Sequence, residues 1–459
     1  MKPISAAAVA AVLACAVTPV AAQEPDGLKL PRGFHAQVVA EGLGTNLRHM
    51  AMRDNNTIYV STRGSGAPAG RGGRGTNSED GEGGGGRGAA GGRGAAPAPT
   101  GPSPGIMVLH LDANHKVEKT ERFSEITGGT GIRIQGNWLY AATLTDVYRV
   151  ALKPGEAVPS AAPEVVVSGM PGTTFNNRMV VTDGRGNLFV SVGGSGNICT
   201  APAGRGVKPK GLHPCPGVTD RGGVWKFSAS KLNQKFPADG VQIATGLRDT
   251  VSVDYRPGDA LYLYMHDRSA TSATWPELVS AQDEENIGEE FHRLPLTAKE
   301  LTNMGWPYTY YDQVRKQRLM APEYGGNGKV TAPDGIYATP VVTIQPSHSA
   351  PLDLVFYYGR QFPASYRGGA FVVRHGGNGP DRPEGRAGYD VMFIPFTANG
   401  KPGTPVSFAD GFAGPTPASK IVAKATYRPG GAAVAPDGSL YVSETNKGRI
   451  WRIYYDGKP

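Results

Sequence analysis

Residues 428–455, RPGGAAVAPDGSLYVSETNKGRIWRIYY, read as three short strands joined by two turns. Ala432 and Val434 alternate into Pro436-Asp437-Gly438. Leu440, Tyr441 and Val442 run into the polar 444–448, and Ile450, Trp451, Ile453 and Tyr455 close the unit. Period-two alternation bounded by Gly, Pro, Asp and Asn is the signature of strand and turn. The unit recurs five more times, with first strands at 48–52, 131–134, 178–181, 251–254 and 352–357. The matching second strands fall at 58–60, 139–141, 188–190, 261–263 and 370–372, and the third at 106–111, 147–150, 224–227, 291–294 and 391–394. A three-strand unit cannot bury its own apolar face, so six copies must stack. The expectation is an all-β, six-bladed β-propeller. Runs at 164–167, 241–244, 341–344 and 407–408 supply outer strands, and 34–39 is expected to complete the last blade. A β-sandwich does not account for a sixfold unit.

The counts of 65 Gly and 38 Pro suit so many turns, and no long helical periodicity follows the N-terminus. Lys2, an apolar run over 4–17 and Val20-Ala21-Ala22 fit a signal peptide over 1–22. That run is too short for a transmembrane segment. The chain is therefore expected to be exported, periplasmic or secreted, with 23–459 forming one propeller domain. In an oxidising compartment Cys199 and Cys215 are expected to pair. Residues 64–104 are almost entirely Gly, Ala, Pro and Arg, cannot bury apolar surface, and read as a disordered excursion inside the first unit. The formal charge of +8 calls for an anionic partner. Nucleic acid is not expected, because the arginines stand singly at turns without interleaved aromatics.

A propeller gathers two sets of loops on one face: those entering the first strands and those joining second to third strands. Arg48, Arg178, Arg248, Arg268, Arg374, His348 and His375 all belong to these loops. Guanidiniums drawn to one pocket suit a small polycarboxylate.

On those loops the chain resembles the glucose/sorbosone dehydrogenase family, across residues 30–455. The motifs are LPRGF at 30–34, NLFVSVGGSGNIC at 187–199, GLRD at 246–249, WPEL at 275–278, GWPY at 305–308, HSAPLDLVFYYGRQFPASYRGGAFVVRHGG at 348–377 and PDGSLYVSETNKGRIWRIYY at 436–455. The resemblance implies a six-bladed propeller that oxidises an aldose, pyranose or sugar aldehyde by hydride transfer to pyrroloquinoline quinone (PQQ), with calcium. It implies a small-molecule sugar as substrate and an external electron acceptor. Arg48, Arg178, Arg248, Arg268, Asn197 and Arg382 are then expected to bind the cofactor, and Glu289 with Glu290 to bind the metal. Two departures stand out. The family's Asn after the GLR arginine is Asp249, and its base histidine corresponds to Phe175, whose ring cannot accept a proton. The expected acid–base groups become His348, His375 and Asp249. Phe175 equally suits a non-catalytic propeller that binds a sugar or an anion. A calcium-dependent lactonase ranks last, because only Glu444, Asp146 and Asn197 offer it ligands.

Overall fold

The Asp-Gly turns reverse the chain by one repeated device. Asp437 Oδ1 accepts the Ser439 N–H at 2.8 Å while Gly438 takes φ +90°. Asp183 accepts the N–H groups of Arg185 and Asn187 at 2.8 and 3.1 Å, with Gly184 at φ +70°. A short acceptor followed by a residue free to take positive φ makes a tight turn that most side chains would strain. The computed structural model describes residues 22–24, 27–62, 105–124, 126, 129–172, 175, 177–203, 207–258, 260–344, 346–377 and 384–458. The proposed signal peptide (all but Ala22), the 64–104 excursion and Arg382 lie outside the described residues.

Six antiparallel sheets form the expected propeller. Blade 1 is Leu47–Met52, Thr57–Thr62, Gly105–Leu111 and Val117–Ser124. Blade 2 is Ile132–Gln135, Trp138–Ala142, Val147–Ala151 and Glu164–Ser168, and blade 3 is Val180–Thr182, Asn187–Val192, Gly223–Ser228 and Val241–Thr245. Blade 4 is Asp249–Arg256, Ala260–His266, Glu289–Pro295 and Val342–Ile344. Blade 5 is Pro351–Phe356, Ala370–Arg374, Asp390–Ile394 and Val406–Ala409. Blade 6 is Pro429–Val434, Leu440–Glu444 and Ile450–Tyr455, completed by Phe34–Ala40 from the other end of the chain. The sequence gives no sign of two short parallel additions, Gln234–Lys235 on blade 2 and Thr302–Asn303 on blade 3, or of the hairpin of Thr309–Asp312 with Gln317–Met320.

Blades stack face to face, so the second strands are buried on both sides. Every residue of Thr57–Thr62 and of Ala370–Arg374 is buried. The seam between blades 5 and 6 is aromatic: Phe34 meets Phe362, Phe408 and Tyr455 at centroid distances of 4.8, 5.1 and 4.9 Å. Burying each such ring is worth about 1.5–3 kcal/mol, and the edge-to-face pairs add to that. The ring is thereby latched.

The axis is filled. His49 of blade 1 bonds the Leu352 carbonyl of blade 5 through Nε2 at 2.6 Å. Arg133 of blade 2 donates to the Leu354 carbonyl at 3.2 Å, and Asp353 Oδ2 accepts the Ala432 N–H of blade 6 at 2.9 Å. Non-adjacent blades meet only across the axis, so these side chains form a hub. Burial holds His49 below the usual histidine range, against the pull of the Asp353 carboxylate. Among the described residues no helix is long and apolar enough to cross a membrane.

Candidate active site

Propeller topology carries the starts of the first strands and the ends of the second strands to one mouth of the channel. Arg48, Arg178, Arg248 and Arg428 stand at the entrances of blades 1, 3, 4 and 6, each at most 6 % exposed. His266, Arg374 and Glu444 end second strands, and Arg268 and His375 follow them. The expected face is therefore assembled, but its members have different employments.

Arg178 clamps its own loop, donating to the carbonyls of Pro171, Phe175 and Asn177 at 2.6, 3.0 and 3.2 Å. That clamp fixes Phe175, which is 2 % exposed. Arg248 lies over its ring, Cζ 4.6 Å from the centroid. Arg248 Nε donates to Asn197 Oδ1 at 3.0 Å, and Asn197 is held in turn by Ser269, accepting from its N–H at 3.0 Å and donating to its carbonyl at 2.7 Å. The stacking and this hydrogen bond both act on the plane of the Arg248 guanidinium.

The GGSGN run is small for this reason. A Cβ on Gly193 would lie 2.5 Å from Phe175 Cβ, and one on Gly194 would lie 2.5 Å from the Trp306 ring. Trp306 donates Nε1 to the Asn197 carbonyl at 3.1 Å and packs on Cys199 and Cys215. Those cysteines form the expected disulfide. The chain of support therefore runs from disulfide to Trp306, to Asn197, to Arg248.

Arg268 is engaged elsewhere. Its Nη1 and Nη2 donate to Glu323 Oε1 and Oε2 at 3.1 and 3.0 Å, and Nε donates to Thr271 at 3.0 Å. The expectation that it holds a ligand meets a buried carboxylate that already uses its fork.

Asp249 is 1 % exposed, and neither carboxylate oxygen has a hydrogen-bond donor among the described residues. Its Oδ2 lies 3.8 Å from His266 Nδ1. His266 Nε2 is 2.6 Å from the Pro351 carbonyl. A carbonyl only accepts, so Nε2 carries the hydrogen and Nδ1 faces the carboxylate. His375 donates Nδ1 to the Pro429 carbonyl at 2.8 Å, while Arg428 donates to the His375 and Gly376 carbonyls at 3.3 and 2.9 Å. His348, in a left-handed conformation at φ +58°, has Nε2 3.4 Å from the Glu284 carbonyl. The HSAP and HGG segments are brought together, with Gly376 N–H on the Ser349 carbonyl at 2.9 Å.

Glu289 and Glu290 are not brought together. They are neighbours in one strand, so they face opposite sides of the blade. Glu289 accepts the N–H groups of Ser349 and Ala350, both at 3.0 Å, and the Ser349 hydroxyl. Glu290 accepts from His292 at 2.8 Å and from both terminal nitrogens of Arg318. Burial and the Glu290 charge push Asp267, close by, well above the usual carboxylate range. Among the described residues no group of three His, Cys, Asp or Glu side chains is placed to hold a metal ion. The acidic pair does not fit one shared calcium. Asp146 and Glu444 do not assemble a cation site either. Asp146 accepts the Thr145 hydroxyl at 2.6 Å, and Glu444 closes its own loop on the N–H groups of Asn446, Lys447 and Arg449 at 2.7, 2.6 and 3.0 Å.

A sequence profile of the TrAA12-like family matches residues 101–456. No curated protein matches the chain. Its fold is similar to a Trichoderma reesei structure of carbohydrate-active enzyme family AA12, at 18 % identity and a TM-score of 0.68, covering 98 % of this chain and 100 % of that one. It is similar also to the holo PQQ domain of pyranose dehydrogenase from Coprinopsis cinerea, at 17 % identity and TM-score 0.66, covering 95 % and 99 %. The soluble aldose sugar dehydrogenase of Escherichia coli, in its apo form, aligns at 14 % identity and TM-score 0.53 over 92 % and 100 %. The propeller expected from the loop motifs and the fold of these structures agree.

Proposed function

The chain belongs to the TrAA12-like family, and on that premise we propose that it is an exported oxidoreductase that oxidises an aldose or pyranose by hydride transfer to bound PQQ. The observation that carries this reading is the gathering of Arg48, Arg178, Arg248 and Arg428 at one mouth of the channel. PQQ is a tricarboxylate, and planar guanidiniums are the side chains best matched to carboxylates; Arg248 and Arg48 fit as donors, while Arg178 and Arg428 hold loop carbonyls and add positive charge. Bound there, the cofactor would supply a two-electron quinone acceptor. Of the cofactor-binding candidates, Arg248 with Asn197 is the best preorganised, because its plane is set before any ligand arrives. Arg178 serves by shaping the loop beneath it.

A sugar carbon releases hydride only as its hydroxyl proton is taken. Phe175 takes no proton, and its ring is committed to Arg248. We assign proton acceptance to Asp249, the carboxylate adjoining Arg248, with His266 turned toward it by the Pro351 carbonyl. His348 and His375 approach from blade 5 as further acid–base groups. The acidic pair gives no support to a calcium site, and no step here depends on one. Turnover calls for an external electron acceptor, and the disulfide accords with a reaction outside the cytoplasm.

The test is direct. Protein incubated with PQQ and desalted should keep a quinone absorbance band and then reduce a dye when given aldoses or pyranoses. Loss of all quinone on desalting overturns the reading.

A further inference from the structure

The disulfide loop joins the second and third strands of blade 3, so it stands on the face of the channel mouth. A row of rings runs beneath it. Trp306, 2 % exposed, begins the row behind the loop that holds Arg248. Its Nε1 donates to the Asn197 carbonyl at 3.1 Å. A Cβ on Gly194, whose N–H bonds the Arg248 carbonyl at 2.7 Å, would meet the Trp306 ring at 2.5 Å. Tyr308 packs on the same core of Trp306, Cys199 and Cys215, and its hydroxyl accepts the Cys215 N–H at 2.9 Å. The Tyr308 ring then meets Tyr324 at a centroid distance of 4.9 Å and His213 at 5.3 Å, both edge to face. His213 is exposed. Rings at such separations touch. Electron tunnelling falls steeply with each gap, so touching rings make a shorter bridge than the saturated chain around them.

Where the row reaches solvent, the surface is apolar and basic. Val207 and Leu212 are 63 % and 36 % exposed, and Lys208 and Lys210 are exposed beside them. Lys208 donates to Glu277 at 3.0 Å. The 275–278 turn abuts Gly328, where an added Cβ would lie 2.9 Å from the Leu278 carbonyl, and this brings exposed Lys329 to the same rim. Lys210 and Lys329 have no carboxylate within ion-pair distance among the described residues. An apolar patch rimmed by cations suits contact with another protein, and the charge selects an acidic one. The formal charge of +8 steers such a partner from a distance.

The mouth has to admit a sugar, so an acceptor as large as a protein needs a way in from the side. We propose that an acidic one-electron carrier protein docks on the 207–213 surface and draws electrons from the reduced cofactor through Trp306, Tyr308 and His213. Two electrons leave for each sugar oxidised, one in each of two encounters, and two protons pass to solvent. The electron route rests on the quinone reading above, whereas the docking can be read without the cofactor.

The experiment titrates PQQ-free protein into isotope-labelled plastocyanin, an acidic one-electron copper carrier, and follows binding by NMR at low ionic strength. Basic cytochrome c is the control. Plastocyanin should bind and cytochrome c should not. Lys210→Glu with Lys329→Glu should weaken plastocyanin binding about tenfold and flatten its salt dependence. In PQQ-loaded protein given sugar, the same pair should slow plastocyanin reduction about tenfold. Reduction of dichlorophenolindophenol, a dye small enough to enter at the mouth, should stay unchanged. His213→Leu removes the exposed ring, so plastocyanin reduction should fall severalfold with its binding and the dye rate unaltered, and His213→Phe should keep the parent rate. If plastocyanin does not bind, or binds no better than cytochrome c, or ignores the charge reversal, the docking surface is overturned. Plastocyanin reduction unaffected by His213→Leu overturns the aromatic route. Intact docking without dye reduction sinks the redox reading alone.

Discussion

The guanidinium of Arg248 rests on the phenyl ring of Phe175, 4.6 Å from its centroid, so the residue at the expected base position is the platform for the arginine proposed to bind the cofactor. Phe175→Leu removes the π face while keeping the site apolar. A desolvated cation–π contact is worth up to about 2 kcal/mol. PQQ should therefore be held about tenfold more weakly, with kcat at saturating cofactor little changed. Equilibrium dialysis beside steady-state kinetics separates the two effects.

Asp249 offers a carboxylate where the family resemblance leads one to expect an amide. Asp249→Asn should lower kcat by about 100- to 10,000-fold, the usual worth of a positioned proton acceptor. Retention of PQQ after desalting should be unchanged. A variant that loses cofactor and activity together would move Asp249 from proton transfer to cofactor binding.

Arg268 and Glu323 form a pair whose side chains are 2 % and 0 % exposed. Removing one partner strands a buried charge, so Glu323→Ala should cost about 3–5 kcal/mol in denaturant unfolding. The double change Arg268→Met with Glu323→Leu should recover most of that loss. PQQ retention by the double variant should match the parent, in contrast to Arg248→Met.

The disulfide spans a sequence separation of 16. Replacing both cysteines by Ser should destabilise the protein by about 3 kcal/mol through the freed loop. Because Trp306 packs on the pair and bonds the Asn197 carbonyl, PQQ binding should weaken too. A Tm measurement and a cofactor titration on the same sample check both.

His49 titrates at the hub. Its folded-state pKa lies below the reference 6.5, so the unfolded chain takes up this proton first as the pH falls. Stability from this group is complete above about pH 6.5 and declines below it. His49→Gln should flatten the slope of unfolding free energy between about pH 6.5 and 5 relative to the parent.

The six blades were legible because the unit repeats and because its turns carry Asp and Gly where the backbone needs them. The site was less legible, and strand ends explain much of the gap. Reading blade 4 as starting at Val251 and its second strand as ending at Leu263 left Asp249 and His266 outside the sheet. The observed strands run from Asp249 and to His266, which sets the two side by side. Reading the third strand from Phe291 likewise made Glu289 and Glu290 a loop pair, whereas the strand begins at Glu289 and turns them apart. Nothing local marks Arg268 as different from Arg248. Its partner is 55 residues on, in a segment with no repeat signature.

Closure of blade 6 by Phe34–Ala40 ties the molecule's completion to its last strand. Phe34 pairs with Tyr455 and Val38 with Trp451, so the first blade-forming segment to be synthesised waits for the final one. Until then it is an exposed edge, with unpaired backbone groups and a bare aromatic ring. A chain cut short anywhere before Ile450 has no strand on which to close the ring.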